Sequence, residues 1–374
     1  MEGTKPRTAS SLGMFDLLKG VGMLLIVFAH TSELYPVGDV STITPVTFFL
    51  FAYRESLMAA FYIASGYGFR KRSIGKCISQ QFKTLFKPYA YTGLATTSAH
   101  FVIHYKTFGN WNNAVYETYK VLGGFVLGLP HTATYFGQEF FSCGPMWYLL
   151  ALMIGWILLD IILNIFPESY IKWAVLGTML LGWGISLVWE APFCIAQGMV
   201  TVPYLYIGFL AKKKRLFEKK FRPLAILGLL ATALGVALGV LLTGKTDCVS
   251  LGEWTMGPVS ILLDGIVGLG FIVLFMKVQR LLDNPVTHLI EAVGRRSLYI
   301  FCIHTVELTA VPWYLMVQKY AAAPTKGLWL QYAVSLGSIF LLCEILLRRR
   351  DVMLKFFPAR RKHFAEHQRY VAKH

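Results

Sequence analysis

The chain has 374 residues, 55% of them hydrophobic and only 15% charged, with a formal net charge of +16. A soluble protein of this length carries more charge and a lower mean hydropathy than +0.53, so the composition specifies a polytopic membrane protein. The excess of Lys and Arg does not call for nucleic acid, because it falls in clusters between apolar stretches, the signature of cytoplasmic loops.

Residues 1–14 read as a short cytoplasmic tail with Lys5 and Arg7. The apolar stretch that follows is long, interrupted by charge and without a small-residue cleavage pattern, so it is expected to stay as a helix and not to be removed as a signal peptide. Within this first span, 15–35, Asp16, Lys19, His30 and Glu33 lie at spacings of three, eleven and three residues. With Met23 and Ile26 between them the series runs in steps of three and four, which puts every ionisable group on one helix stripe. Lipid penalises such groups, so the stripe is expected to face protein or a water-filled cavity. Lys19 and His30 are then about 16 Å apart along the axis. Taken alone, Lys19 reads as a cation snorkelling at the cytoplasmic rim and His30 as a polar packing contact. An imidazole at that depth with a carboxylate one turn away favours a functional role.

A nearly neutral loop, 36–45, leads to a second span at 47–69, which stops at Arg70, Lys71 and Arg72. Charge continues through Lys76, Lys83 and Lys87, marking an inner loop, and a third span runs from Pro88 to about 105. Positive-inside topology alone explains most of this charge. Ser65 and Gly66 permit close helix approach, which could bring the loop over the first span. Lys83 and Lys87, four apart, share one side of a helical turn, and such a cationic cradle suits a ligand with several phosphates. Residues 106–144 read as an outer loop with a re-entrant or interfacial piece, and Glu139 within it as a loop residue or a carboxylate partner for His30.

Further spans are expected near 145–165, 172–190, 197–211, 224–243, 256–276, 296–316 and 328–347, making an all-α transmembrane bundle of about ten spans with both termini cytoplasmic. Trp147 and Tyr148 open the fourth span, most simply as interfacial anchors. In the ninth, Ser297, Tyr299 and His304 come early, and Glu307 lies one turn beyond His304, a second intramembrane histidine that is either functional or a buried helix contact. Gly235 and Gly239 form a small-residue packing face. The six cysteines are scattered, which argues against zinc and against a disulfide framework. The strongly basic tail, 348–374, with Phe356, Phe357, Phe364 and Tyr370 interleaved, suits a helix lying on anionic headgroups. No GxSxG or HExxH occurs to support a hydrolase or zincin.

The stretches FDLLKGVGMLLIVFAH, SGYGF, the basic run ending in KPY, PMWYLLAL and GRRSLYIFCIH occur in the order seen in the acyltransferase 3 membrane family, which the chain resembles over about 15–347. The family's first-helix motif, a basic residue, ten intervening residues and a histidine, matches Lys19 and His30. Many members carry arginine where this chain has Lys19, and the family's arginine pair is replaced by Lys83 and Lys87, which keeps charge and loses the bidentate fork. With no hydrolase-like domain after the last span, the resemblance is to stand-alone members.

The resemblance implies transfer of an acyl group, usually acetyl, from cytoplasmic acyl-CoA to a hydroxyl of a cell-envelope glycan, a lipid-linked sugar or a related acceptor, in the plasma membrane of a bacterium. No metal and no nucleic acid enter, and homo-oligomerisation stays open. The expected roles place CoA phosphates near Lys19, Arg70, Arg72, Lys83 and Lys87, with His30 as base and Glu33 orienting it. Asp16, Ser65, Trp147, Tyr299 and His304 line or support a wet passage between the two. An acyl-histidine intermediate fits the same residues. The alternative is a transporter or flippase for a polar or lipid-linked envelope precursor.

Overall fold

A computed structural model describes residues 12–35, 45–219 and 221–356. Residues 1–11, 36–44, 220 and 357–374 lie outside the described residues, and with them most of the expectations for the two termini, although the expected tail is helical from 348 to 356. A 3-10 turn leads into α1 (Asp16–Glu33), followed by α2 (Pro45–Tyr67). The next helix starts well before the expected position. α3 (Ile74–Gln81) passes through a π-turn (Phe82–Phe86) directly into α4 (Lys87–Phe108). A proline ring clashes with the carbonyl four residues back and supplies no N–H, and the π-turn opens the ladder just ahead of Pro88 so that the helix continues.

The stretch expected as a loop contains α5 (Trp111–Leu127), which returns along α4, and a hairpin of β1 (Ala133–Tyr135) and β2 (Gln138–Phe140). The hairpin pairs Ala133 with Phe140 and Tyr135 with Gln138. Its two-residue turn has positive φ at Phe136 (54°) and Gly137 (76°), the sense that matches strand twist. Then come α6 (Trp147–Ile165), α7 (Glu168–Val188), α8 (Ile195–Val200), α9 (Val202–Lys213), α10 (Pro223–Thr243), α11 (Pro258–Leu281), α12 (Pro285–Arg295), α13 (Ser297–Ala310), α14 (Tyr314–Lys319) and α15 (Pro324–Phe356).

Among the described residues six helices are long and apolar enough to cross a membrane, or seven when the segment 192–200 and α9, bent by 51°, count as one span. The expected ninth span is the 14-residue α13. α10 exposes Leu224, Leu227, Leu230, Leu234, Leu238 and Leu241 along its length, a surface suited to lipid chains. A Cβ on Gly235 or Gly239 would meet nothing within 4 Å among the described residues, so neither glycine makes the close helix contact that a small-residue packing face suggests, and Gly239 borders a cavity instead.

The cationic helix ends gather at one end of the bundle. Asp16 pairs with Arg295, Gln279 reaches the Gly13 carbonyl, Arg296 and Arg348 share Glu344, and the Lys212 ammonium lies over the Tyr67 ring. The hairpin marks the opposite end, where Tyr135 donates to the Glu190 carbonyl and His131 contacts the Ser250 carbonyl.

α2 packs closest on α9, where a Cβ on Gly66 would stand 2.1 Å from the Leu205 carbonyl and one on Gly208 2.0 Å from the Ile63 carbonyl. Gly66 thus brings α2 onto α9, whereas the sequence suggested a close approach that could carry the following basic loop over the first span. Gly208→Leu is expected to lower stability by about 1–3 kcal/mol through overpacking, read as a lower midpoint of thermal unfolding in detergent. Gly228→Leu, at an open position on α10, is expected to leave that midpoint within about 0.5 kcal/mol of wild type.

Candidate active site

The α1 stripe faces the interior where the sequence spacing predicts. Lys19, Met23 and Ile26 form one wall of a cavity of about 380 Å³. α2 supplies Met58, Phe61 and Ser65, the π-turn supplies Leu85, α6 supplies Tyr148 and Trp156, and α13 supplies Ser297 and Phe301. The lining is mainly apolar, not the wet passage expected. Its polar groups include the Lys19 ammonium, the Tyr148 hydroxyl hydrogen-bonded with Ser65, and the Trp156 indole N–H, which is buried without a partner. On α1 the lining ends at Ile26, one turn (about 6 Å of helical rise) short of His30.

His30 sits in a separate polar cluster. Its Nδ1 is 3.4 Å from Glu33 Oε2, and Glu33 Oε1 accepts from Arg54 Nη1 at 2.9 Å. Arg54 Nε donates to Glu55 Oε1 at 3.1 Å, and its Nη2 contacts the Asp247 carbonyl at 3.4 Å. The His304 ring lies 5.6 Å from that of His30, centroid to centroid, tilted by 34°. His304 Nδ1 is 3.2 Å from Glu307 Oε2, and Glu307 Oε1 accepts from Ser335 Oγ at 2.7 Å. The two imidazoles therefore share one design, a carboxylate three residues on that holds Nδ1–H and leaves Nε2 as the basic lone pair. They differ in access. His304 is 1% exposed with Nε2 unpartnered, whereas the His30 side chain is 30% exposed.

At the basic end the expected residues separate. Lys19 lines the cavity and is paired to Asp16 at 3.2 Å. Asp16 is buried and is not among the residues lining this cavity. It ties Lys19 to Arg295 of α12, 3.8 Å away, and so holds the amphipathic α12 against α1. Arg70 is half-buried beside Lys212. Arg72 is fixed through its backbone, its N–H donating to Asp160 at 2.9 Å and its carbonyl accepting from Asn164. Lys83 and Lys87 are exposed while Leu85, between them, lines the cavity. Residues two apart on a helix point to opposite sides, so these two lysines do not face the cavity beside Lys19.

Ser65 lines the cavity as expected. Trp147 and Tyr299 do not; Tyr148 and Ser297 take those places, and Tyr299 is 41% exposed. Glu139 pairs with Lys120 in the hairpin at 3.9 Å and is no partner of His30. All six cysteines are free. Sequence reasoning passed over Arg54 and Glu55, although charged residues inside an apolar run were the available signal.

The fold defines a polytopic helical membrane protein, and its site pairs two carboxylate-held histidines near a ligand-sized cavity. The family model described as an acyltransferase domain matches residues 13–348, and the chain belongs to this acyltransferase family. Comparison with curated proteins and with solved structures finds no match.

Among the described residues Arg54 is the one cation that bonds both Glu33 and Glu55. Arg54→Ala is expected to cost about 1–3 kcal/mol by taking the guanidinium from both Glu33 and Glu55, seen as a lower thermal midpoint in detergent. Arg54→Lys, which keeps the charge without the fork, is expected to recover part of that loss.

Proposed function

We propose that this protein is an O-acyltransferase that moves an acyl group, acetyl first, from cytoplasmic acyl-CoA to a hydroxyl of a cell-envelope glycan or lipid-linked sugar, with His30 as general base, in a bacterial plasma membrane. The observation that carries the reading is the α1 stripe, on which one helix face presents a cation, a cavity wall and an imidazole in succession toward the His30–His304 pair. CoA is polyanionic at one end and thioester at the other, and the cation-rich end of the bundle and the histidine pair are separated in that same sense. The cavity volume falls in the range of small-molecule sites, and the unpartnered Trp156 N–H suits an amide carbonyl of the pantetheine arm. Lys19, Arg70 and Arg72, joined by Lys212, are the cations assigned to the phosphates, with exposed Lys83 and Lys87 contributing longer-range attraction.

In the reaction the acceptor hydroxyl gives its proton to His30 Nε2 as its oxygen attacks the acyl carbon. The carbon–sulfur bond breaks, and the departing sulfur takes up the proton that His30 Nε2 has just accepted, directly or passed on through the lone pair of His304 Nε2. Glu33 and Glu307 hold the rings and stabilise their charged forms. Transfer through an acyl-histidine would use the same groups. The thioester has to pass Ile26, the cavity residue nearest His30 along the helix. A transporter reading has less support, because it expects matched broken helices in two halves and the described residues hold one bent pair.

His30→Ala is expected to lower the acyl-transfer rate of purified protein by about 10²–10⁴-fold, with binding of desulfo-CoA retained. An undiminished rate would end the reading. Ile26→Trp is expected to block transfer while CoA binding persists, and transfer at the wild-type rate would refute the proposed route past that residue.

A further inference from the structure

A second cavity, of about 70 Å³, lies between α2, α10 and α11 under the 244–257 loop. Its acidic and hydroxyl side chains include Glu55, Asp247 and Asp264 together with Thr255 and Ser260. Glu55 and Asp264 are 6% and 3% exposed. Each has one oxygen engaged, Glu55 Oε1 with Arg54 at 3.1 Å and Asp264 Oδ1 with the Ser56 hydroxyl at 2.6 Å. Their other oxygens, Glu55 Oε2 and Asp264 Oδ2, are buried with no hydrogen-bond partner. Asp247 Oδ1 accepts from both the N–H and the hydroxyl of Thr255 at 2.6 Å, which pins the loop over the cavity. Glu55 shares its guanidinium with Glu33, and Asp264 meets the neutral Ser56 hydroxyl, so two buried carboxyl oxygens are left without a donor. An uncompensated buried charge is costly.

We propose that this cavity binds a small monovalent cation, sodium, through Glu55 Oε2, Asp264 Oδ2 and the hydroxyls of Ser260 and Thr255. The donor set selects the ion. Hard oxygens without nitrogen or sulfur disfavour the softer transition metals. Among the described residues no group of three His, Cys, Asp or Glu side chains could hold a metal ion, which disfavours a zinc site, and two carboxyl groups with two hydroxyls carry less charge than a tight calcium site uses. A water takes about 30 Å³ of liquid, so the cavity has room for an alkali ion with one water. The site is independent of acyl transfer, since none of its groups enters that chemistry. Arg54 links the two, because it bonds both Glu55 and the Glu33 carboxylate that holds His30.

The test melts purified full-length protein in detergent in sodium, potassium, calcium and N-methylglucamine chlorides at matched ionic strength. Sodium is expected to raise the melting temperature saturably by about 2–4 °C over N-methylglucamine. Asp264→Asn is expected to abolish that increment, and Ser260→Ala to move its midpoint to higher sodium. Should Asp264→Asn fail to fold, direct binding of radioactive sodium decides, with one saturable site per wild-type chain that Ser260→Ala weakens. Equal melting in sodium and N-methylglucamine, as protonated carboxyls would produce, overturns the site. So does a rise with calcium in place of sodium, an increment that survives Asp264→Asn, or no bound sodium.

Discussion

An ionised group inside an apolar helix bundle has to find its counterpart within the protein, because lipid offers none. That requirement organises one half of this molecule. Glu33 and Glu55 converge on Arg54, Glu307 on Ser335 and His304, and Asp264 on Ser56. Glu33–Arg54 ties α1 to α2, Ser56–Asp264 ties α2 to α11 and Ser335–Glu307 ties α15 to α13, so these polar contacts fix the depth and rotation of the helices they join. Where pairing is incomplete, at Glu55, Asp264 and His304, the unsatisfied atoms mark the places with capacity for an ion or a proton.

The same constraint explains why the site is divided. Cations at the basic end are held by carboxylates or by backbone contacts, as with Lys19 on Asp16 and the Arg72 backbone on Asp160. Histidines occupy the other pole, their rings 5.6 Å apart between centroids. Between the two lies a mostly apolar cavity that neither pole fills. In the proposed reaction, an apolar cavity of this size would keep bulk water from the thioester while taking in the pantetheine arm.

Much of this was legible in the sequence wherever helical phase decides the outcome. Steps of three and four put Lys19, Met23, Ile26 and His30 on one face, and the first three do line one cavity. The His-x-x-Glu spacing at 30–33 and 304–307 likewise anticipates both imidazole–carboxylate contacts. Phase does not say which neighbour a face meets. Lys83 and Lys87 share a side, but Leu85 holds the cavity side, and only tertiary packing settles that choice. Gly66 signals close approach without naming α9 as the partner. α5 was hidden because its Asn, Glu and Lys residues dilute a 17-residue helix below any membrane pattern, and α12 because an amphipathic helix between spans reads as a charged loop. Arg54 was readable and overlooked.

The relation between cation, cavity and histidine is most directly tested by a structure of the full chain bound to a non-transferable acyl-CoA analogue with the thioester sulfur replaced by methylene. The phosphates are expected within hydrogen-bonding reach of Lys19 and the Arg70–Lys212 cluster, with the arm past Trp156 and the acyl carbonyl carbon between the rings of His30 and His304. An analogue bound with its acyl end outside the α1 cavity, or on the far side of α13 from His30, would contradict the arrangement.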